Sequence, residues 1–257
     1  MNPSVFTSII NGYLPEPHSS LLNGIIFGVD LKTSKIFFQQ LKIVGLLHIV
    51  VLSGMNITIL ATIIGYLTSF FSKRASILIA MLSIFFFILF VGPKAPIIRA
   101  GFMGILTFVG FLTGRKNFVL YSLFLSLVFI SVVFPKWLTS ISLYLSYGAT
   151  VGIIFFGPKP KDKGIIKELK TTMAAQFFTA PIIFIYFKQI SLVAPISNVL
   201  VAPLIPPLMI FGFLTAILGK INYFLGLIPS YICYGLLAYM IWIIEVLSKV
   251  RFAFFQF

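Results

Sequence analysis

The sequence predicts an all-α polytopic membrane protein: a bundle of about eight transmembrane helices, some broken by proline or glycine, preceded by an N-terminal interfacial amphipathic helix. Three observations predict it. Of the 257 residues, 60% are hydrophobic and only 9% charged, whereas a soluble domain carries about 25% charged residues to face water. The mean hydropathy is +1.11. Apolar runs near the length that crosses a bilayer, about 17–25 residues, recur along the chain. Lipid is therefore the solvent, and a helical bundle satisfies the backbone inside it.

Residues 1–42 form an N-terminal extramembrane or interfacial segment. Leu14-Pro15-Glu16-Pro17 reads as a loop. From Leu31 to Lys42, Ile36, Phe37, Phe38 and Leu41 alternate with Lys32, Lys35, Gln39, Gln40 and Lys42. That pattern suits a helix lying among headgroups, or a short soluble cap on the bundle. Eight spans follow in residues 43–257, at roughly 43–71, 75–91, 97–113, 118–134, 138–157, 171–187, 190–218 and 222–248. Span one is too long for a straight crossing, and Ser53-Gly54 near its middle predicts a bend. Span seven contains Pro195, Pro203, Pro206 and Pro207. Because proline removes a donor and clashes with the preceding turn, two half-helices with an unwound link are expected. Broken helices of this kind accompany transport pathways, although a kink that only improves packing is equally consistent.

The net charge is +14, from 19 basic and 5 acidic residues. Basic loops flanking membrane helices account for such an excess; an anionic ligand, nucleic acid or headgroups, is the alternative. The loops with Lys73 and Arg74, Arg115 and Lys116, the run Lys159 to Lys170, and Lys220 outweigh those with Lys94, Lys136 and Lys188. The heavier side is expected in the cytoplasm, which puts both termini outside. No basic-then-apolar leader opens the chain, so no cleavable signal peptide is expected. One cysteine, Cys233, allows no disulfide within one chain.

Polar groups at membrane depth are costly and mark partners or wet cavities. The candidates are His48, Ser53, Asn56, Arg99, Ser146, Gln176, Asn198 and Glu245, with Thr139 and Ser142 placed on the face of Ser146 by helical spacing. Each has a plainer role. Serine and threonine bond back to the preceding turn, Arg99 snorkels, Glu245 pairs with Lys249, and the amides bridge helices. Ser53 lacks the features of an intramembrane serine protease, because Val51 stands where a glycine is needed and no histidine follows His48. His18 and His48 do not build a metal site with five acids. No catalysis, cofactor or metal is expected.

The chain resembles the ComEC competence family. The likeness lies in Gly45-Leu46-Leu47-His48-Ile49-Val50-Val51-Leu52-Ser53-Gly54-Met55-Asn56-Ile57, the lead-in from Leu14 to Gly28, Ile98-Arg99-Ala100-Gly101-Phe102-Met103, Gly114-Arg115, Leu143-Tyr144-Leu145-Ser146-Tyr147-Gly148-Ala149, Ala175-Gln176 to Pro181, and Ser191 through Asn198 to Pro203. Tyr144 replaces a glutamine of that pattern, and Asn56 stands where many members have histidine. The resemblance implies a channel for single-stranded DNA across the bacterial cytoplasmic (inner) membrane in natural transformation. It makes His48, Ser53, Asn56, Arg99, Ser146, Gln176 and Asn198 pathway residues and residues 43–257 a competence-type channel domain. Tyr144 and Tyr147 then offer stacking faces, or pack in the bundle. Implied partners are single-stranded DNA, membrane lipids, a separate nuclease, a cytoplasmic DNA motor and further copies of the chain. The sequence holds no His-x-His-x-Asp-His element, so strand degradation is expected to need another protein. A transporter of a small anionic solute or lipid, and an assembly protein docking a nuclease or helicase through the 158–170 loop, stay open.

Overall fold

The chain is almost wholly helical in the computed structural model, which describes residues 3–50, 53–114, 119–250 and 254–256. Val51 and Leu52 of the Gly45–Ile57 stretch, and Arg115 and Lys116 of the basic loop, lie outside the described residues. The helices are α1 (Pro3–Tyr13), α2 (His18–Phe27), α3 (Lys35–Ile43), α4 (Leu47–Val50), α5 (Gly54–Leu67), α6 (Lys73–Val91), α7 (Ala95–Thr113), α8 (Val119–Val133), α9 (Ile141–Phe156), α10 (Gly164–Phe187), α11 (Ala194–Val201), α12 (Ile205–Ile221) and α13 (Tyr223–Ser248). Two three-residue strands, β1 (Gln189–Ser191) and β2 (Phe254–Gln256), pair antiparallel with Ile190 opposite Phe255. The chain divides into two compact units, a first of residues 1–52 and 156–257 and a second of residues 53–155.

Among the described residues, four helical segments are long and apolar enough to cross a membrane: α6, α7, the run Ala194–Ile221, and α13. The structure therefore supports four of the eight predicted spans at full length. The helices α5, α8 and α9 are apolar but have only 14, 15 and 16 residues, short of a perpendicular crossing. Helix α10 has the length, 24 residues, but its first turns carry Lys167, Glu168 and Lys170.

The predicted unwound link in span seven is corrected. Between α11 and α12 the backbone only tightens into a 3-10 turn over Ala202–Leu204, with Ala202 and Ile205 at helical angles. The prolines fall in the first turns of α11, the 3-10 turn and α12, where the absent N–H has no intrahelical acceptor to serve. The prolines set inside a helix are instead Pro181 in α10 and Pro229 in α13. In span one the interruption is present: Ser53 is extended (φ −116°, ψ 173°) and α5 begins at Gly54.

In the first unit, α12 and α13 form a hairpin turned at Asn222, whose side chain caps α13 by accepting from the Phe224 N–H at 2.8 Å. Helices α1 and α2 pack on it. Every residue of α2 from Ser19 to Phe27 is buried, the pattern of a helix apolar on all sides. Ile26 and Leu22 occupy the space that a side chain at Gly212 would need. Tyr13 stacks on Tyr223 at 4.9 Å and donates to its carbonyl at 2.7 Å, and His18 stacks on Tyr234 at 4.6 Å. Helix α3 realises the amphipathic stretch at Lys35–Ile43. Ser34 caps it by accepting from the Phe37 N–H, Phe37 and Leu41 are buried, and Ile36 is exposed.

In the second unit, α6 packs on α5 and α7, and α8 on α7. One apolar cluster joins Ala95, Ile130 and Leu143, ringed by Ile98, Phe129, Phe134, Trp137, Leu138 and Tyr147, and Ile57, Ile84 and Ile97 are buried as well. Phe85, Phe86, Phe111, Phe124 and Val132 all point outward. Such faces would be a liability in water and are the expected surface in hydrocarbon.

Candidate functional site

Four of the seven predicted pathway residues, Ser53, Asn56, Arg99 and Ser146, lie in the second unit; His48, Gln176 and Asn198 lie in the first. Each group has its own local construction.

Arg99 sits in the second turn of α7 and is only 8% exposed. Its Nε donates to Ser146 Oγ at 2.9 Å, and Nη1 donates to Thr150 Oγ1 at 2.7 Å and to Met103 Sδ at 3.5 Å. The guanidinium carbon stands 5.7 Å from the centre of the Tyr147 ring, a cation–π distance. Tyr147 is in turn tied through its hydroxyl to Ser126 Oγ at 2.7 Å. Ser146, Tyr147 and Thr150 come from one stretch of α9 because residues three and four apart share a helix face.

The remaining amino group, Nη2, faces Gly54. A Cβ built there would stand 3.3 Å from Nη2 and 2.9 Å from the Ala100 Cβ. Gly54 is thus required by close approach, and it brings the start of α5 against the arginine. Beside it, Ser53 Oγ donates to Asn56 Oδ1 at 3.3 Å, and Asn56 is fully buried.

Every partner of Arg99 among the described residues is neutral. The second unit contains no Asp, Glu, His or Cys at all, against seven basic residues, Lys73, Arg74, Lys94, Arg99, Arg115, Lys116 and Lys136. Hydroxyls and a ring face orient and partly solvate a guanidinium but cannot neutralise it, and a buried charge is costly unless paired. The arrangement therefore holds a fixed positive charge with donors in a planar fork, the geometry that suits carboxylate or phosphate.

In the first unit, the turn after α3 is clamped. Gly45 adopts φ +73°, Leu46 N–H donates to Leu41 O, and Gly45 N–H to Lys42 O, the Schellman closure that only glycine enters without strain. Ser191 Oγ donates to Ile43 O and Ser197 Oγ to Val44 O, both at 2.6 Å. Gln176 Nε2 donates to Ser191 O at 3.2 Å. Gln176 Oε1 and Asn198 Oδ1 are buried without a hydrogen-bond partner among the described residues, two acceptors held where an unmet acceptor costs about 1–3 kcal/mol. His48, on the single turn of α4, is exposed.

Sequence reasoning missed Thr150, Ser126, Ser197 and the role of Gly54 against Arg99. Thr150 was in principle visible, since it repeats Ser146 one turn on and its hydroxyl also bonds back to Ser146 O at 2.9 Å. Of the face drawn through Thr139, Ser142 and Ser146, only Ser146 reaches Arg99. Ser142 is exposed, and Thr139 lies in the preceding 3-10 turn bonded to Lys136 O.

Among proteins of known sequence, one from Aquifex aeolicus (strain VF5), described as an uncharacterized protein, is 28% identical over 181 residues, covering 70% of this chain. The chain spans 42% of that relative's length. No solved structure matches. The competence protein family matches residues 25–257, which takes in Gly45, Ser53-Gly54, Arg99, Ser146, Gln176 and Asn198. Together with the apolar helices, this establishes that the chain is a multi-pass membrane protein belonging to the competence protein family, of the ComEC type.

Proposed function

We propose that the chain forms the passage by which single-stranded DNA enters the cell across the cytoplasmic membrane, and that it performs no catalysis of its own. The observation that carries this reading is Arg99: a cation placed at the buried junction of α5, α7 and α9, braced by hydroxyls, with no carboxylate in its unit to quench it. A strand with a charge on every phosphate needs fixed positive charge and polar lining to leave water. Strand degradation and pulling are assigned to a nuclease and a motor outside residues 1–257; the described residues hold no metal cluster and the sequence no nucleotide-binding loop.

The test is transformation frequency in an Arg99→Ala strain whose protein is still made and inserted. The expected fall is roughly ten-fold or more, equivalent to about 1.4 kcal/mol lost from phosphate stabilisation at the barrier. Unchanged uptake removes Arg99 from the path. The same cation also favours a second reading, a transporter of a small anionic solute or lipid, since one guanidinium fork matches one anion. Reconstituted vesicles separate the two: uptake of labelled single-stranded DNA supports the first, and uptake of small anions alone supports the second.

A further inference from the structure

Two adjoining cavities open in the second unit where α5 ends, α6 begins and α7 ends. One, of about 420 Å³, reaches Ser69, Phe71, Ser76 and Phe108. The other, of about 460 Å³, reaches Arg74, Leu112, Thr113 and Gly114. Lys73, Ile77 and Phe111 line both. None of the seven pathway residues lines either cavity, so this is a separate place in the molecule.

Their lining combines Lys73, Arg74 and the serines Ser69 and Ser76 with Phe71, Ile77, Phe108 and Phe111. Lys73 and Arg74 are exposed, and Phe111 is 62% exposed despite its size. Helices α6 and α7 each have 19 residues and membrane-crossing hydropathy, so their ends stand at headgroup level. Ile77 lies four residues inside α6 and Phe108 five residues inside α7, about 6–8 Å deeper at 1.5 Å per residue. The cations thus lie at the depth of phosphates, and Ile77 and the Phe108 ring at the depth of acyl chains.

We propose that these cavities hold one anionic phospholipid, its headgroup phosphate on Lys73 and Arg74 and an acyl chain along Ile77, Phe108 and Phe111. The charge favours an anionic partner, because the unit has no carboxylate and the first turn of α6 carries only the two cations. The depth of the rings selects lipid. A free phosphate gains nothing from them, and a nucleobase would have to leave the headgroup layer to reach them. Each basic group near an anionic surface adds to the attraction, and both together set its strength.

The experiment uses the full chain purified in zwitterionic detergent and titrated with phosphatidylglycerol or phosphatidylcholine, read by intrinsic fluorescence. Phosphatidylglycerol is expected to bind at one saturable site and phosphatidylcholine only non-specifically. The Lys73→Gln/Arg74→Gln double variant weakens phosphatidylglycerol roughly 10- to 30-fold, and Lys136→Gln does not. Phe108→Ala weakens the long-chain lipid but spares a short-chain phosphatidylglycerol, which keeps the test decisive if the double variant is poorly made. Equal phosphatidylglycerol affinity in the wild type and the double variant overturns the proposal. So does displacement of the lipid by inorganic phosphate or by a short oligothymidylate with the same dependence on Lys73 and Arg74, which reassigns the site to free phosphate or to nucleic acid.

Discussion

The unit built from residues 1–52 and 156–257 holds all five carboxylates and both histidines of the chain, whereas the unit of residues 53–155 holds seven basic residues and none of these. Their interiors differ in the same sense. In the first, α2 is enclosed on all sides, and Leu21, Leu22, Ile25, Ile26, Leu208, Met209, Leu237 and Met240 are completely buried. In the second, fewer apolar side chains are buried, among them Ile57, Ile84, Ile97, Ile130 and Leu143, and a buried cation is held beside them by Ser146 and Thr150. The first unit is organised around packing and the second around a charge. Packing stabilises a fold in proportion to the area removed from contact with solvent or lipid; an unneutralised buried charge does the reverse and is retained where it meets a ligand.

The sharpest way to break this contrast is to remove packing from the first unit. Leu22→Ala is expected to lower unfolding free energy in detergent by about 2–5 kcal/mol; a loss below about 1 kcal/mol would mean that α2 is not part of a close-packed core. Next, Gly54→Ala forces a Cβ against Ala100 and Arg99. It should cost about 1–3 kcal/mol and depress DNA uptake with it, because the contact that fails is the one that seats the guanidinium. Arg99→Met tests the opposite sign. Replacing an unpaired cation with an apolar side chain of similar length should leave stability unchanged or raise it by about 1 kcal/mol while uptake collapses. A loss of about 2 kcal/mol or more in that variant would make Arg99 a structural group and dissolve the distinction between the units.

Smaller effects follow acidity. Burial pushes the His18 imidazole below its ordinary value of about 6.5, so the fold favours the neutral ring stacked on Tyr234. That contribution is intact above the ordinary value and is lost progressively as pH drops below it toward the folded-state value. His18→Phe keeps the stack and should flatten the thermal midpoint between about pH 7 and 5. Least of all, the exposed Lys170–Asp162 pair, 2.8 Å apart, holds the Asp162 carboxyl below the usual carboxylate range. Solvent screening makes it energetically minor, and Asp162→Asn should leave the midpoint indistinguishable from that of the wild type.

Much of this was legible before any coordinates. The spans read at 75–91, 97–113 and 222–248 correspond to α6, α7 and α13 within two residues at each end, since long uninterrupted apolar runs admit one interpretation. The site was legible as residue types, and Arg99 with Ser146, and Ser53 with Asn56, do bond. What could not be read was partnership. Thr150 and Ser126 look like any hydroxyls bonding back to their own helices, and both do that as well. The proline-rich stretch misled for a related reason. Proline breaks a helix from inside but begins one without penalty, and composition does not distinguish the two positions until the 3-10 turn at Ala202–Leu204 is seen.

The carboxylate-free make-up of residues 53–155 has one more consequence. That stretch contains no carboxylate, imidazole or thiol, the side chains that ordinarily exchange protons between acid and mild alkali. If protons crossing the membrane drive or gate passage, their acceptors must be found among His18, His48 and the five acids of the other unit.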